Sequence, residues 1–447
     1  MANASVPVQY TSAVSPPPVV SSQLTEASHG SFTGRATTTG ALSLSVQAQS
    51  IPALPPSPAE TNGYPSDGQL HEPEPAPFTP AGGEGTNGSE PVYRVQSDFD
   101  FESIALGLYQ EYIELDVFHN GLAMFSAADF QAAGLTAEDR FLIEFMADQE
   151  VGHATLLTNI LGPQAAPKQC TYNYPFQTVR EFVDFNQKLT RVGESGVYGF
   201  LNHLDSRPVG QLLLQSISTE ARQQMIFRQF DGLFPMPVWF EVGIPQSWAW
   251  TLIAPYISSC PQNQTRLAWQ NYPALHVINQ PNAARTNANQ TGSNETQGFS
   301  IEAPLNDAIV PSSSLCVNAT GVGSNCNPAI THNRSIPLSY PGRLVQLQWD
   351  APGQLVGPNN SYVTSTSAGA PSWVAWVNQL NVTYSKLTLT GNNTGTTIQP
   401  NVSTFENNPM INGTVFIALV DTPLALSPFN LSQINPHVAA LTLYQAG

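Results

Sequence analysis

Apolar residues recur at alternating steps of three and four in four stretches between residues 98 and 230, and this spacing predicts four amphipathic helices. Polar residues interrupt each apolar stripe at one or two positions. In chain order these residues are Glu111, Glu150 with His153, Glu194, and Glu220 with Gln223. The pattern in helix order is therefore Glu, Glu-x-x-His, Glu and Glu-x-x-Gln.

This order differs by one residue from that of the di-metal carboxylate four-helix bundle, in which two helices give one Glu each and two give Glu-x-x-His. Residues three apart share a helix face, so Glu150 and His153 can offer a carboxylate oxygen and an imidazole nitrogen to one ion. Such ligands suit iron, manganese or zinc better than calcium. We therefore predict a carboxylate-rich site for iron or manganese, with the ligands Glu111, Glu150, His153, Glu194, Glu220 and Gln223.

Gln223 stands where the di-metal pattern has a second histidine, and a neutral amide oxygen is a much poorer transition-metal ligand than imidazole. Three outcomes stay open: a weakened di-metal site, a single ion held by ligands of the first two helices, or a relic without metal. In the competing interpretation the glutamates lie on the surface or pair with Arg191 or Arg222. A site that has lost its metal would lower the stability of the fold, because buried carboxylates must be paired, protonated or hydrated.

Four helical segments carry a family likeness. They are EYIELDVF from Glu111, DQEVGH from Asp148, GESGVY from Gly193 and TEARQ from Thr219. They resemble the ferritin-like domain of plant desiccation-related proteins and of fungal stress-response proteins of the Rds type. The fungal branch is the closer match, because the likeness continues in PMPVWF from Pro235, GIPQSWAW from Gly243 and NPHVAALTLYQAG from Asn435. The resemblance covers about residues 93–447. It implies a ferritin-like fold and a stress or developmental context, without a settled reaction.

Composition and period divide the chain. Residues 1–92 are rich in Pro, Ser, Thr and Gly, with no Lys and one Arg, and we predict a disordered arm. Residues 93–260 are the predicted ferritin-like four-helix bundle, with packing tryptophans at Trp248 and Trp250, and residues 261–300 are a predicted Asn-rich linker. In residues 301–447 the apolar period changes to two, as in Val415, Ile417 and Leu419. The predicted fold class is α+β, a helical bundle followed by an antiparallel β-sandwich.

Charge and missing motifs exclude several functions. The net charge of −17 with three lysines argues against nucleic acid and against anionic membrane surfaces as partners. No apolar run approaches the length of a membrane span. Glycine-rich nucleotide motifs and a Gly-x-Ser-x-Gly elbow are absent from the sequence. Partner proteins are not identifiable, apart from a suggested association with the cell wall.

Sequons for N-glycosylation are concentrated late in the chain. Two of thirteen start at Asn3 and Asn87, and eleven start at Asn263, Asn289, Asn294, Asn318, Asn333, Asn359, Asn381, Asn392, Asn401, Asn412 and Asn430. The skew predicts a secreted or cell-surface glycoprotein, with a chance excess in an Asn- and Thr-rich surface as the alternative. Residues 1–7 show no signal peptide, which keeps a cytoplasmic location open.

Four cysteines allow three pairings. Cys170 and Cys260 flank the last two bundle helices, and Cys316 and Cys326 are ten residues apart in a loop-like stretch. We predict disulfides between Cys170 and Cys260 and between Cys316 and Cys326.

The sequence favours a stress-associated, metal-binding ferritin-like protein that could act on peroxide or on oxidants derived from dioxygen. Whether it turns over a substrate does not follow from the residues. The rival hypothesis is a non-enzymatic secreted or cell-wall protein that keeps the bundle as a scaffold. Metal content separates the two most directly.

Overall fold

The computed structural model describes residues 93–231, 233–261, 264, 266–281, 339, 341–405 and 413–447. These described residues belong to one compact unit. The predicted arm of residues 1–92 lies outside the described residues, as does the predicted Cys316–Cys326 disulfide. The same holds for the sequons at Asn263, Asn289, Asn294, Asn318, Asn333 and Asn412.

Four long helices form where the apolar spacing predicted them. They are α1 (Asp98–Met124), α3 (Ala137–Leu161), α4 (Val179–Leu201) and α5 (Arg207–Phe230), and the short α2 (Ala127–Ala132) connects α1 to α3. Helix α1 packs against α3 and α4, and α4 packs against α5. The stripes that meet in these contacts are buried, as the periodicity requires.

Local sequence sets the starts of these helices. Thr136 and Asp139 form a capping box at the start of α3, and Thr178 and Glu181 form one at the start of α4. In each box the hydroxyl and the carboxylate satisfy backbone N–H groups that have no partner inside the helix. Helix α5 begins at Arg207 and has Pro208 in its first turn, where a residue without an N–H leaves no donor unsatisfied.

Helix α6 (Gln246–Ile253) packs against α4 and α1. Trp248 and Trp250 are both 0% exposed, which confirms that these tryptophans pack in the core. The segment before α6 approaches α4 closely at Gly199, where a Cβ would lie only 1.8 Å from the carbonyl oxygen of Ile244. Glycine is therefore required at this contact.

Within the described residues the strands form two four-stranded and two two-stranded sheets, all with antiparallel pairing. One sheet has the order β3 (Leu275–Val277), β4 (Leu344–Trp349), β10 (Thr394–Ile398), β9 (Thr388–Gly391). The other has the order β12 (Val438–Gln445), β11 (Thr414–Val420), β7 (Trp373–Asn378), β8 (Asn381–Lys386). The small sheets pair β1 (Thr171–Tyr172) with β2 (Ile257–Ser259), and β5 (Leu355–Val356) with β6 (Tyr362–Val363). Strand β3 lies within the predicted linker of residues 261–300, so the sheets begin earlier than predicted.

The sheet of β12, β11, β7 and β8 is the middle of three layers. Val415, Ile417 and Leu419 belong to a hydrophobic cluster shared with β3 and β4. The alternate residues Phe416 and Ala418 belong to the cluster shared with the helices. Every residue of β11 and β12 is buried. The α+β prediction is confirmed, and the sheet face that a two-layer sandwich would expose is covered by helices.

Cys170 and Cys260 form a disulfide, as predicted. The bond joins the segment after α3 to the residue after β2, beside the pairing of β1 with β2. Among the helices that the structure describes, none is both long and apolar enough to cross a membrane.

Candidate metal centre

Glu111, Glu150, His153 and Glu220 lie together inside the bundle, on α1, α3 and α5. Each offers one potential ligand atom, and these four atoms all lie within 4.8 Å of one another. The three glutamates are at most 2% exposed, and the side chain of His153 is 11% exposed. Four of the six predicted ligands are therefore brought together.

Nδ1 of His153 is the meeting point of the three carboxylates. It lies 3.2 Å from Glu111 Oε2, 3.3 Å from Glu150 Oε2 and 3.5 Å from Glu220 Oε1. Burial acts to lower the pKa of His153, but the negative charges of Glu111 and Glu150 outweigh it and raise the pKa to about 12. Without a metal ion, the imidazole is therefore protonated and serves as the counter-charge.

The other imidazole nitrogen of His153 has a separate partner. Nε2 lies 3.0 Å from Thr219 Oγ1, and that hydroxyl donates to the carbonyl oxygen of Ser216 at 2.7 Å. Because the hydroxyl proton is used by Ser216, Thr219 accepts from Nε2–H. This contact fixes the tautomer in which Nδ1 can bind a cation.

The carboxylates are short of partners. Glu220 makes no hydrogen bond through either oxygen to any described residue, and Glu111 Oε2 lies near Nδ1 without hydrogen-bond alignment. Burial raises the pKa of Glu111 to about 8 and that of Glu220 well above its ordinary value. Within the described ranges, His153 is the one basic side chain in ion-pair contact with Glu111, Glu150 or Glu220.

Glu114 is a further buried carboxylate that the sequence analysis missed. It lies one turn after Glu111 on α1 and is 0% exposed, and neither of its oxygens has a hydrogen-bond partner in the described part of the chain. Burial, followed by the charges of Glu150 and Glu111, raises its pKa well above the ordinary value. The spacing of three between Glu111 and Glu114, the same as in Glu150-x-x-His153, was the available signal.

Glu194, a predicted ligand, is not part of the four-residue group. Its Oε1 accepts a hydrogen bond of 2.5 Å from Arg191 Nη1, and the same nitrogen also pairs with Glu241. Arg191 lies three residues earlier on α4, so the two side chains share a face and the arginine satisfies the carboxylate locally. The competing interpretation, in which an arginine pairs with the glutamates, therefore holds for Glu194 and Arg191. The other candidate arginine, Arg222, is exposed.

Gln223, the predicted sixth ligand, reaches the group through its nitrogen. Nε2 donates to Glu150 Oε1 at 2.5 Å and lies 3.4 Å from Gln149 Oε1. In this arrangement the amide nitrogen orients a carboxylate, and Oε1 is buried without a hydrogen-bond partner among the described residues. The structure therefore gives Gln223 a positioning contact where a ligand was predicted.

The remaining set consists of three carboxylates and one imidazole. This donor set fits a borderline or hard cation such as iron or manganese. With Glu194 bound by Arg191 and Gln223 acting as a donor, the positions that would complete a second metal site are otherwise engaged. The residues present therefore fit one ion better than two.

Comparisons with known proteins agree with the fold and with the location of these residues. A family model described as "Ferritin-like domain" matches residues 97–232, a range that contains every residue of the group. The chain is 52% identical over 376 residues to "Protein rds1" of Schizosaccharomyces pombe. The aligned region covers 83% of this chain and 87% of that protein. The resemblance inferred from the motifs is confirmed. The chain belongs to the Rds-type family of fungal ferritin-like proteins.

Proposed function

We propose that the helical domain binds one iron or manganese ion between Glu111, Glu150, His153 and Glu220. The observation that carries this proposal is the convergence of their four ligand atoms within 4.8 Å at a buried position. Three buried carboxyl groups share His153 as their one basic partner among the described residues, and a divalent ion would compensate their remaining charge. Glu111, Glu150 and Glu220 would supply oxygen ligands, and His153 would supply Nδ1.

The surrounding residues support this assignment. Thr219 holds the tautomer of His153, and Gln223 holds the carboxylate of Glu150. Such outer contacts orient ligands in metal sites. A bound iron or manganese ion would supply Lewis-acid and redox chemistry, and we propose peroxide or oxidants derived from dioxygen as its targets under stress.

Elemental analysis tests the metal proposal. Protein produced in metal-replete medium and purified without chelators should contain about one iron or manganese ion per chain, a stoichiometry that follows from the four-ligand set. Glu150→Gln should lose the ion, because it removes a buried ligand. Glu144→Gln is the matched control, since Glu144 lies on the same helix but pairs with Arg140 at the surface.

A relic site gives a different result. Metal-free wild-type protein, together with unchanged or increased thermal stability in Glu150→Gln, would refute the metal proposal. Those results would favour the second candidate function, a structural or protective glycoprotein that uses the bundle as a scaffold.

Accessible glycosylation sequons in the part of the chain that forms the sheets favour this second candidate. Asn359, Asn392 and Asn401 are exposed sequon positions, and Asn381 and Asn430 are half-buried. The Cys170–Cys260 disulfide is typical of oxidising compartments. We propose a secreted or cell-surface location, with the cell wall as the associated surface.

Mass spectrometry of protein from its native source tests the location. Enzymatic deglycosylation should remove several sugar chains, and sites at Asn359, Asn392 and Asn401 should be occupied because they are accessible. Unmodified asparagines at these three positions, together with reduced thiols at Cys170 and Cys260, would instead place the protein in the cytoplasm.

A further inference from the structure

A cavity of about 250 Å³ lies between α4, α5 and the segment from Pro235 to Glu241. Two arginines, Arg191 and Arg222, contribute to its lining. Apolar side chains line much of the rest, including Met225, Met236 and Val238. The cavity therefore combines cationic groups with an apolar wall, and its volume suits a small molecule.

Arg191 has one edge of its guanidinium group unused. The residue is 2% exposed, and its Nη1 pairs with Glu194 and Glu241. Its Nε and Nη2 have no hydrogen-bond partner among the residues that the structure describes. The N–H groups of Nε and Nη2 lie along one edge, and they form the fork that a carboxylate accepts with two parallel hydrogen bonds.

A second buried arginine adds positive charge beside this wall. Arg228 is 0% exposed, and its Nη1 is also without a hydrogen-bond partner in the described ranges. A Cβ on Gly413, which lines the cavity, would lie 3.7 Å from that Nη1. Burial, followed by the charge of Arg191, lowers the pKa of Arg228 to about 9, so the group stays charged at neutral pH.

We propose that this cavity binds a small carboxylate with a short aliphatic chain, held by the Nε and Nη2 edge of Arg191. The carboxylate would satisfy the two unused donors, and the chain would contact the apolar wall. A phosphate ion offers the same acceptors but is strongly hydrated and has no apolar part, so it suits this wall less well. The inference does not depend on a metal ion in the bundle.

Calorimetric titration of butyrate into the full-length chain at constant ionic strength tests the proposal. We expect saturable binding of one butyrate per chain, at least three-fold tighter than binding of phosphate or chloride. Adding a metal chelator should leave the affinity unchanged. A negative result for the metal centre would therefore leave this proposal standing, and the reverse also holds.

Two substitutions give opposite expectations. Glu241→Gln should tighten butyrate binding at least three-fold, because it removes a negative charge that lines the cavity and repels a carboxylate. Ala221→Leu should abolish binding by filling the cavity that Ala221 lines. Ala132→Leu, at an exposed position on α2, is the matched control for the added volume.

Several outcomes would overturn the proposal. They are the absence of saturable butyrate binding in wild-type protein, equal affinity for butyrate and chloride, unchanged affinity in Glu241→Gln, or unchanged affinity in folded Ala221→Leu. Circular dichroism would verify that each variant is folded, and Glu241→Gln keeps the test decisive if Ala221→Leu does not fold.

Discussion

Replacing Glu114 by methionine should stabilise the metal-free protein. Glu114 is fully buried, and its carboxylate has no hydrogen-bond partner in the described residues. A buried polar group without a partner costs about 1–3 kcal/mol. Methionine is unbranched, of similar length and able to fill the same space. We therefore expect the free energy of unfolding at pH 7 to rise by about 1–3 kcal/mol.

The gain should depend on pH. Burial and the charges of Glu150 and Glu111 raise the pKa of Glu114 well above its ordinary value of 4.5. The folded wild-type protein therefore keeps a proton that the unfolded chain releases above that value, and its stability falls as the pH rises. Methionine does not titrate, so the advantage of Glu114→Met should be larger at pH 8 than at pH 5.

Urea unfolding with a chelator, followed by circular dichroism at several pH values, measures this effect. Glu114→Gln is the matched variant, because it removes the titratable group but keeps a polar group without a partner, and its gain should be smaller. Metal content should be unchanged in both variants, since Glu114 lies outside the four-residue group. If Glu114→Met lowered stability at every pH, the carboxylate would have a favourable partner and the reasoning would be refuted.

Three other substitutions probe separate features. Gln223→His should raise bound metal from about one ion toward about two, because imidazole is the better ligand, and an unchanged elemental analysis would contradict this. Replacing Cys170 and Cys260 by serine should lower the free energy of unfolding in urea by about 2–5 kcal/mol, and an unchanged value would mean that the bond does not stabilise the fold. Gly199→Ala should cost about 1–3 kcal/mol or more through its 1.8 Å clash. Gly152→Ala is the control, because nothing lies within 4 Å of its added Cβ, and it should stabilise α3 by about 0.5–1 kcal/mol. Equal Tm shifts in the two variants would contradict the close contact between Gly199 and Ile244.

The apolar spacing was sufficient to predict which helix faces meet, because burial of a stripe depends only on the period of the pattern. Glu150 and His153 could be placed at the centre for that reason. The partner of each polar group could not be predicted in the same way. Whether Arg191 reaches Glu194 depends on its rotamer and on Glu241, which comes from a distant segment. A step of four from Glu111 places the next position of the apolar stripe at Leu115, so the spacing alone does not single out Glu114.

The sheets show a similar limit. Alternation correctly grouped Val415, Ile417 and Leu419 on one face, but the intervening Phe416 and Ala418 are equally apolar. Such a continuous apolar run is typical of a strand that is buried on both sides. The run therefore contained the signal for the helical layer over this sheet. Strand β3 has only three residues, which is too short for a period to be recognised.

The position of β11 and β12 in the chain has a consequence for synthesis. Helix α5 ends at Phe230, whereas the sheet that covers the bundle begins with β7 at Trp373 and is completed by β11 and β12 from Thr414, so the helices leave the ribosome long before their covering layer exists. During that interval the bundle presents an apolar surface to its surroundings, and contacts between distant segments form slowly. Nascent chains that stall before Trp373 would therefore be prone to aggregate and would depend on chaperones.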